Sequence, residues 1–154
     1  MFAASEGSVE RALLVHNLVE EFDKWTEQNF EERLSSPTAA PVVLIASTTQ
    51  NCAEEGPQDV GYTVGYDRYK DGSYYCWMAG VANGYRRHGV LTLLMSKLEE
   101  WAKAKGYKAL RIKTRNNRRE MLGFLVKKGW DFIDIEKHPS VSDHRLVLQK
   151  MISS

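Results

Sequence analysis

The order of predicted elements indicates an α/β protein with a mixed sheet and helices on its faces. Two observations lead to this fold class. Short runs rich in β-branched and aromatic residues predict strands, and two stretches with apolar residues at helical spacing lie between the later strands. Along the chain the order is helices, three strands, a helix, a strand, a helix and two strands, which predicts a sheet covered by helices.

The N-terminal third combines helical character with a first clear strand. Residues 8–34 are amphipathic and rich in Glu, Gln and Lys, which predicts one or two surface helices, although residues 14–16 also fit a short strand. The apolar positions of this stretch are Val9, Leu13, Leu14, Leu18, Phe22, Trp25, Phe30 and Leu34. Pro37 interrupts the pattern. The continuous apolar run of residues 42–47 predicts a buried strand, and polar residues 50–59 predict a loop.

The middle of the chain predicts a hairpin followed by a long helix. Residues 61–66 and 74–79 read as strands, and Asp71-Gly72 between them is a strong hairpin signal. The helix that follows carries an apolar stripe at i, i+3, i+4, i+7 spacing. Its members are Leu91, Leu94, Met95, Leu98, Trp101 and Ala102. Gly106 is placed to cap the C-terminal end of this helix.

The last third adds a strand, a helix and two strands. Residues 110–115 alternate apolar and basic side chains, which predicts a strand with one solvated or substrate-facing side. Residues 117–120 have the Asn-x-x-Glu form of a capping box and predict the start of a helix that ends at Gly129. Residues 132–137 and 145–151 predict the final strands.

Composition places limits on the class of protein. The 154 residues predict one domain, residues 1–154, and a net charge of +1 does not indicate bulk affinity for nucleic acid. Cys52 and Cys76 lack metal-ligand spacing and are expected to be free thiols, with a single disulfide left open. No secretory signal and no apolar run of roughly 20 residues is visible, so a cytoplasmic protein without a membrane span is expected.

The start of the long helix predicts an anion site. The segment Arg86-Arg87-His88-Gly89 leads into Val90-Leu91, and no side chain there can cap the free helix amides. Backbone amides, the helix dipole and two arginines then converge on one point, and Gly89 allows a ligand to approach the backbone closely. Phosphate is the expected ligand of this loop.

The same segment resembles a known family. Arg86-x-x-Gly89-x-Leu91, after a strand and before an amphipathic helix, is similar to the pyrophosphate-binding motif of the GNAT superfamily of acyl-CoA N-acyltransferases. Residues 106–110 resemble the turn into that family's fifth strand, and residues 117–130 resemble its Asn…Gly-Phe segment. The similarity covers roughly residues 42–150. It implies a mostly antiparallel twisted sheet of about six to seven strands, splayed between strands 4 and 5, with about four helices.

The resemblance also implies a cofactor and the residues that bind it. Acetyl-CoA is the expected acyl donor, and no metal is expected. The pyrophosphate would bind at Arg86, Arg87, His88, Gly89, Val90, Leu91 and Thr92. Backbone groups of Met78, Ala79, Gly80 and Val81 would pair with the pantetheine, and Asn117 and Phe124 would lie near the thioester.

Two positions depart from the family pattern, and both bear on the chemistry. Leu91 stands where Gly or Ala is usual in the third motif position. Many relatives have a tyrosine in the fourth helix, which protonates the departing thiolate, but here that position is Leu125 and its neighbour is Phe124. Another group must therefore act as the acid, or the thiolate takes its proton from water.

The residues that assist the attacking amine are drawn from several candidates. A neutral amine attacks the thioester carbonyl, so the site must orient it, remove a proton and stabilise the oxyanion. Candidate bases are Asp67, Asp71, Glu31, Glu32 and His144, and candidate hydrogen-bond donors are Tyr66, Tyr74 and Tyr75. We assign catalytic roles to Asp67, Tyr75 and His144.

The sequence thus predicts an N-acetyltransferase that moves an acetyl group directly from acetyl-CoA to a primary amine on a small molecule or peptide. Its alternative is a non-catalytic module that binds or senses acyl-CoA. A third reading assigns the basic residues 111–119 to nucleic acid or charged RNA, but alternating bases on a solvated strand explain them better. No membrane partner is expected. A homodimer stays open, because many relatives are dimers.

Overall fold

The computed structural model describes residues 1–49 and 56–152. Its strands are β1 (Phe2–Glu6), β2 (Val42–Thr48), β3 (Asp59–Tyr66), β4 (Ser73–Val81), β5 (Ala109–Arg115), β6 (Asp131–Glu136) and β7 (Arg145–Met151). Its α-helices are α1 (Val9–His16), α2 (Glu27–Leu34), α3 (Val90–Ala104) and α4 (Arg119–Lys127). Short 3-10 helices follow β4 (Asn83–Tyr85) and precede β7 (Val141–Asp143).

All seven strands form one mixed sheet in the order β1-β2-β3-β4-β5-β7-β6. Every neighbouring pair is antiparallel except β4 and β5, which are parallel. Parallel neighbours need a long crossover, and α3 supplies it between β4 and β5. The predicted mixed and mostly antiparallel sheet is confirmed, and its fourth and fifth strands form the parallel pair.

Two apolar layers lie on opposite faces of the sheet. On one face α3 and α4 bury a large core with strands β2 to β5 and β7, which includes Leu94, Leu98 and Leu125. On the other face α1 and α2 bury a smaller core against β2 and β3, which includes Phe30 and Tyr62. The helices therefore leave the α1/α2 face of β5, β7 and β6 without a helical cover.

The N-terminal region differs from its predicted form. The chain opens with strand β1, and residues 14–16 belong to helix α1, not to a strand. Leu14 and Leu18, expected on the apolar stripe, are 69% and 60% exposed, whereas Ala12 and Val15 are buried. Leu18 lies beyond the end of α1 at His16, so helical spacing no longer applies to it, whereas Leu14 lies within α1 but on the helix face away from the buried Ala12.

Helix α4 does not begin with the predicted capping box at residues 117–120. Arg118, not Asn117, occupies the N-cap position, and no side chain caps this helix. The backbone N–H of Asn117 instead donates to the carbonyl oxygen of Ser142, 3.0 Å away. This bond ties the loop after β5 to the loop before β7 and holds Asn117 outside the helix.

Some predictions concern residues outside the described part of the chain, and others rest on single residues. Positions 50–55 of the predicted loop, with Cys52, lie outside the described residues. Cys76 is a buried free thiol, and burial raises its pKa to about 11. Among the described residues, no helix is long and apolar enough to span a bilayer.

Candidate active site

The sheet opens between β4 and β5. The two strands are paired from Ser73 and Ala109 to Cys76 and Ile112, and the pairing stops there. At the same point β4 has a bulge at Trp77, since Cys76 lies opposite Gly65 while Met78 lies opposite Val64. A bulge bends its strand and increases the local twist. Beyond Trp77, β4 therefore presents an edge of backbone groups that β5 does not use.

A cleft of about 1060 Å³ lies at this opening. Its walls come from the end of β4, the start of α3, the end of β5, the first turns of α4 and the loop between α1 and α2. All predicted cofactor residues line the cleft except His88: Met78, Ala79, Gly80, Val81, Arg86, Arg87, Gly89, Val90, Leu91, Thr92, Asn117 and Phe124. Residues that lie apart in the sequence are thus brought to one cavity.

The N-terminus of α3 has the geometry of an anion site. Gly89 is its N-cap residue in the left-handed conformation (φ 82°), and no side chain caps the helix. Arg87 also has a positive φ, 66°. The N–H of Leu93 donates to the carbonyl oxygen of Gly89 at 3.0 Å, so the amides of residues 90–92 precede the first helical hydrogen bond. Residues 90–92 also line the cleft, so these amides lie at one end of it.

Both arginines of this loop contact carboxylates. Arg86 forms a 2.8 Å ion pair with Glu21, and Arg87 lies 3.3 Å from Glu120 on α4. Burial is the largest single effect on the pKa of Glu21 and raises it, but the hydrogen bond from Arg86, a backbone hydrogen bond and the charges of Arg86 and Arg118 together hold the pKa below its usual value. The Arg87 pair is almost fully exposed and contributes little to stability. Arg86 is therefore the better fixed of the two.

The loop between α1 and α2 reaches across the cleft, which the sequence did not indicate. The Glu21 carboxylate pairs with Arg86 on one side of the cleft. From the other side, the guanidinium of Arg118 donates to the backbone oxygen of Glu21 at 3.3 Å. Arg118 also lies over the ring of Phe22, 5.4 Å from its centroid. A Cβ on Gly80 would meet Phe22 at 2.9 Å, so this glycine allows the loop to pack on β4.

His16 fixes the base of this loop from inside the smaller core. Its Nε2 lies 2.8 Å from the carbonyl oxygen of Asp23, so Nε2 carries the proton and donates. Its Nδ1 then accepts from the hydroxyl of Tyr62 at 2.6 Å. Burial lowers the pKa of His16. Both ring nitrogens are engaged, so His16 positions the loop and has no free lone pair for proton transfer.

Aromatic and basic residues line the α1/α2 side of the cleft. Trp25 and Trp77 lie with ring centroids 5.5 Å apart. Arg33 lies over Trp77, 5.5 Å from its centroid, and donates to the hydroxyl of Tyr66 at 3.2 Å. The bulge explains this arrangement, because Trp77 and Met78 are consecutive yet both pack on the α1/α2 side. This end of the cleft opens away from α3.

The predicted catalytic residues occupy different places. Tyr75 lines the cleft, and burial raises its pKa, so its hydroxyl stays protonated and can donate. Asp67 lies outside the lining, where its carboxylate accepts from Tyr107 (3.1 Å) and from the amide of Lys70 (3.1 Å). His144 is also outside the lining, and its Nδ1 accepts from the amide of His138 at 3.0 Å.

The remaining candidates are outside the cleft as well, and the structure points to others. Glu31, Glu32 and Asp71 do not line the cleft. The lining residues that the sequence did not single out include Glu21, Asp23, Arg33, Gly123 and Arg145. Only Gly123 carried a visible signal, since a glycine inside a helical pattern lowers helix stability and needs a reason.

Comparison with known structures identifies the architecture. The chain matches the ribosomal-protein-S18-alanine N-acetyltransferase from Escherichia coli over 100% of its length and 96% of that chain, with 16% identity and a TM-score of 0.76. It matches Ard1 from Thermoplasma volcanium over 99% of both chains, with 15% identity and a TM-score of 0.79. It also matches Arabidopsis thaliana NAA60 in complex with acetyl-CoA over 99% of both chains, with 8% identity and a TM-score of 0.77.

The sequence comparisons add the family. No curated protein matches the chain at a significant level. A family model described as "Acetyltransferase (GNAT) family" matches residues 12–130, which include the cleft from α1 to the end of α4. The fold, the cleft at the parallel pair and this match agree, and the chain belongs to the acetyltransferase (GNAT) family of acetyl-transferring enzymes.

Proposed function

We propose that this enzyme transfers the acetyl group of acetyl-CoA directly to a primary amine, and that the two substrates enter the cleft from opposite faces of the sheet. The observation that carries the proposal is the opening of β4 from β5 beside the uncapped start of α3. The start of α3 offers backbone amides to an anion, and β4 offers a free strand edge to the amide groups of an extended cofactor.

The cofactor fits the α3/α4 side. The amides of residues 87–92 and the charge of Arg86 and Arg87 would hold the pyrophosphate. The backbone of Met78–Val81 would pair with pantetheine along the edge that β5 leaves free. Leu91, the unusual third motif residue, is half-buried in the wall, and its amide is not blocked by a side-chain cap. The departure at this position therefore leaves the amide set in place.

The amine would reach the thioester from the α1/α2 side, past Trp25 and Trp77. Its nitrogen attacks the carbonyl carbon, the C–S bond breaks, and CoA leaves as a thiolate that takes a proton from water. A thiol pKa of about 8.5 makes the thiolate an adequate leaving group near neutral pH. Leu125 is fully buried in the core and supplies no acid. Tyr75, protonated in the wall, is the donor that we place near the reacting carbonyl.

We assign the base role to Asp23. Of the three carboxylates among the cleft-lining residues of the described chain, Glu21 and Glu120 form ion pairs with Arg86 and Arg87. Asp23 forms no ion pair within the same part of the chain, and its backbone is fixed by His16 beside Trp25. A carboxylate can accept the proton that the attacking amine loses as the tetrahedral intermediate forms.

The test measures release of CoA thiol from acetyl-CoA with a panel of amines. The panel includes an alanyl peptide, because the Escherichia coli structural relative is a ribosomal-protein-S18-alanine N-acetyltransferase. We expect release that depends on the amine, and an acetylated amine by mass spectrometry. Binding of acetyl-CoA without release across the panel at pH 7–9 would instead support a module that senses acyl-CoA.

Replacing the base gives a sharper prediction. Asp23→Asn should lower kcat by about 100-fold or more, the usual scale of general-base catalysis, while the Kd for acetyl-CoA stays unchanged. Asp67→Asn is the comparison, since Asp67 was the base predicted from the sequence. A loss of turnover in the Asp67 variant with full activity in the Asp23 variant would contradict the assignment.

A further inference from the structure

The side chains of the cleft wall carry a much larger excess of positive charge than the chain as a whole. The whole sequence has a net charge of +1. The cleft-lining residues include nine cationic side chains and three carboxylates. Five of the cations line the cofactor side and face the phosphates expected there: Arg86, Arg87, Arg118, Arg119 and Lys127. The other four lie toward the α1/α2 side, beyond the place assigned to the phosphates: Arg33, Lys113, Arg115 and Arg145.

Two of these four are directly opposite one another. Arg115 on β5 and Arg145 on β7 are partners in the antiparallel register. Like charges at opposed positions destabilise a sheet, so this pair needs a compensating negative charge. Among the described residues neither guanidinium forms an ion pair, and the hydrogen bond of the Arg145 side chain goes to the backbone oxygen of Asp143.

The nearest strand does not provide that negative charge. Glu136 on β6 lies opposite Arg145 on its other side. Its carboxylate, however, is 2.9 Å from Lys113 and 3.3 Å from His138, and the hydrogen bond from Lys113 lowers its pKa. Glu136 therefore neutralises Lys113, and it leaves the Arg115–Arg145 pair without a protein counter-charge in the described chain.

We propose that the acceptor is an amine that carries an anionic group, a carboxylate or a phosphate, and that Arg115 and Arg145 bind this group. The proposal rests on the function proposed above. Arg33, fixed over Trp77 and without an ion pair among the described residues, faces the same end of the cleft. A planar guanidinium binds either oxyanion through paired hydrogen bonds, whereas a cationic polyamine would be repelled by all three arginines.

The experiment compares matched amines in the thiol-release assay. Each set contains an amino acid, its amide and the amine without the carboxyl group, and a second set compares phosphoethanolamine with ethanolamine. We expect the anionic member to have a kcat/KM at least about tenfold above its neutral partner, the scale of a hydrogen bond to a charged group. The two sets separate carboxylate from phosphate recognition.

Variants locate the effect. Arg115→Gln and Arg145→Gln should each remove about tenfold or more of this preference. They should lower kcat/KM for the anionic amines more than kcat/KM for the neutral amines, and they should leave the Kd for acetyl-CoA unchanged. Lys103→Gln, on an exposed position of α3 outside the cleft, is the control and should change nothing. The proposal would be overturned if the preference for anionic amines survives both arginine substitutions, or if neutral and cationic amines react as well as anionic ones.

A binding measurement keeps this test independent of turnover. Anionic amines are titrated by calorimetry into protein saturated with CoA. If anionic amines bind and Arg145→Gln abolishes this binding, the anion site is upheld. If no amine is acetylated in that case, only the proposed transfer fails. Absence of binding for every carboxylate and phosphate amine, in protein that still binds CoA, rejects the anion site itself.

Discussion

At the scale of single residues, His16 shows how a buried polar side chain serves the site without touching the substrate. It connects Tyr62 in the smaller core with the backbone of Asp23 in the loop over the cleft. A buried imidazole with both nitrogens paired stabilises a neutral state, and breaking such a pairing leaves an unsatisfied group in the core. The position of Asp23 thus depends on the protonation state of His16.

This dependence predicts a change of stability with pH. Burial lowers the pKa of His16 in the folded protein, so between that value and about 6.5 the unfolded chain binds more protons than the folded one. The contribution is therefore complete above pH 6.5 and is lost as the pH falls below it. We expect the free energy of unfolding, measured with urea, to decrease from pH 7 to pH 5.

His16→Gln should show a smaller decrease over that range, because the group that titrates is absent. His88→Gln provides the control, since the His88 side chain is exposed. An equal decrease in the wild type and in His16→Gln would show that His16 does not cause the pH dependence.

At this scale the sequence predicted contacts that are local and missed those that are distant. The uncapped Gly89 could be recognised because a cap depends on a few neighbouring residues. The partners of His16 could not, since Tyr62 is 46 positions away and the link depends on how α1 packs on β3. The ion pair of Arg86 with Glu21 was hidden for the same reason.

At the scale of elements, α4 contains a glycine that the fold does not require. Gly123 lies in the interior of the helix, is exposed, and lines the cleft. A Cβ built there meets nothing within 4 Å. Glycine in such a position costs about 0.5–1 kcal/mol relative to alanine. Because packing does not explain this cost, we assign the open space beside Gly123 to the bound cofactor.

Gly123→Ala should therefore raise the free energy of unfolding of the unliganded protein by about 0.5–1 kcal/mol and weaken the binding of acetyl-CoA. Thermal unfolding and calorimetry measure the two effects. Val126→Ala, on the same helix but outside the cleft lining, should leave the affinity unchanged. Tighter or unaltered binding by Gly123→Ala would show that the cofactor does not occupy this space.

Element prediction from the sequence was good where patterns were periodic and weaker elsewhere. The long helix was expected from its apolar stripe, and it spans Val90–Ala104. The sequence left open whether the chain begins with a strand, because the five residues of β1 lie at the sheet edge and alternate only weakly between exposed and half-buried positions. The bulge at Trp77 was also invisible, since it depends on register with β3 and not on local composition.

At the scale of the whole molecule, the proposed function uses the sheet to separate two substrates. α3 and α4 cover the face that we assign to the cofactor, and the loop between α1 and α2 borders the other. The fold class followed from element order, and the cofactor side followed from one motif and its resemblance. The acceptor side did not, because its residues come from α2, β4, β5 and β7 and share no sequence pattern.

The basic residues 111–119 illustrate this limit. In the sequence they fit a solvated strand face, and Arg111 does pair with Asp71 outside the cleft lining. The sheet opening, however, brings Lys113 and Arg115 into the cleft wall. A charge pattern on a strand shows which side chains share a face, but only the neighbouring strands determine whether that face meets solvent or a ligand.

We place the phosphates of acetyl-CoA at the N-terminus of α3, and calorimetric titration of two glycine variants is the sharpest test of this placement. Gly89 and Gly106 flank the same helix with φ of 82° and 92°, and a Cβ on either meets nothing within 4 Å. Leucine at each should therefore cost a similar roughly 1–2 kcal/mol of stability from the left-handed backbone. Only Gly89→Leu places a side chain at the phosphate amides.

We expect Gly89→Leu to raise the Kd for acetyl-CoA at least about tenfold, through loss of charge-assisted hydrogen bonds, while Gly106→Leu binds as the wild type does. Wild-type affinity in Gly89→Leu, or equal weakening in both variants, would contradict the placement of the cofactor at this helix.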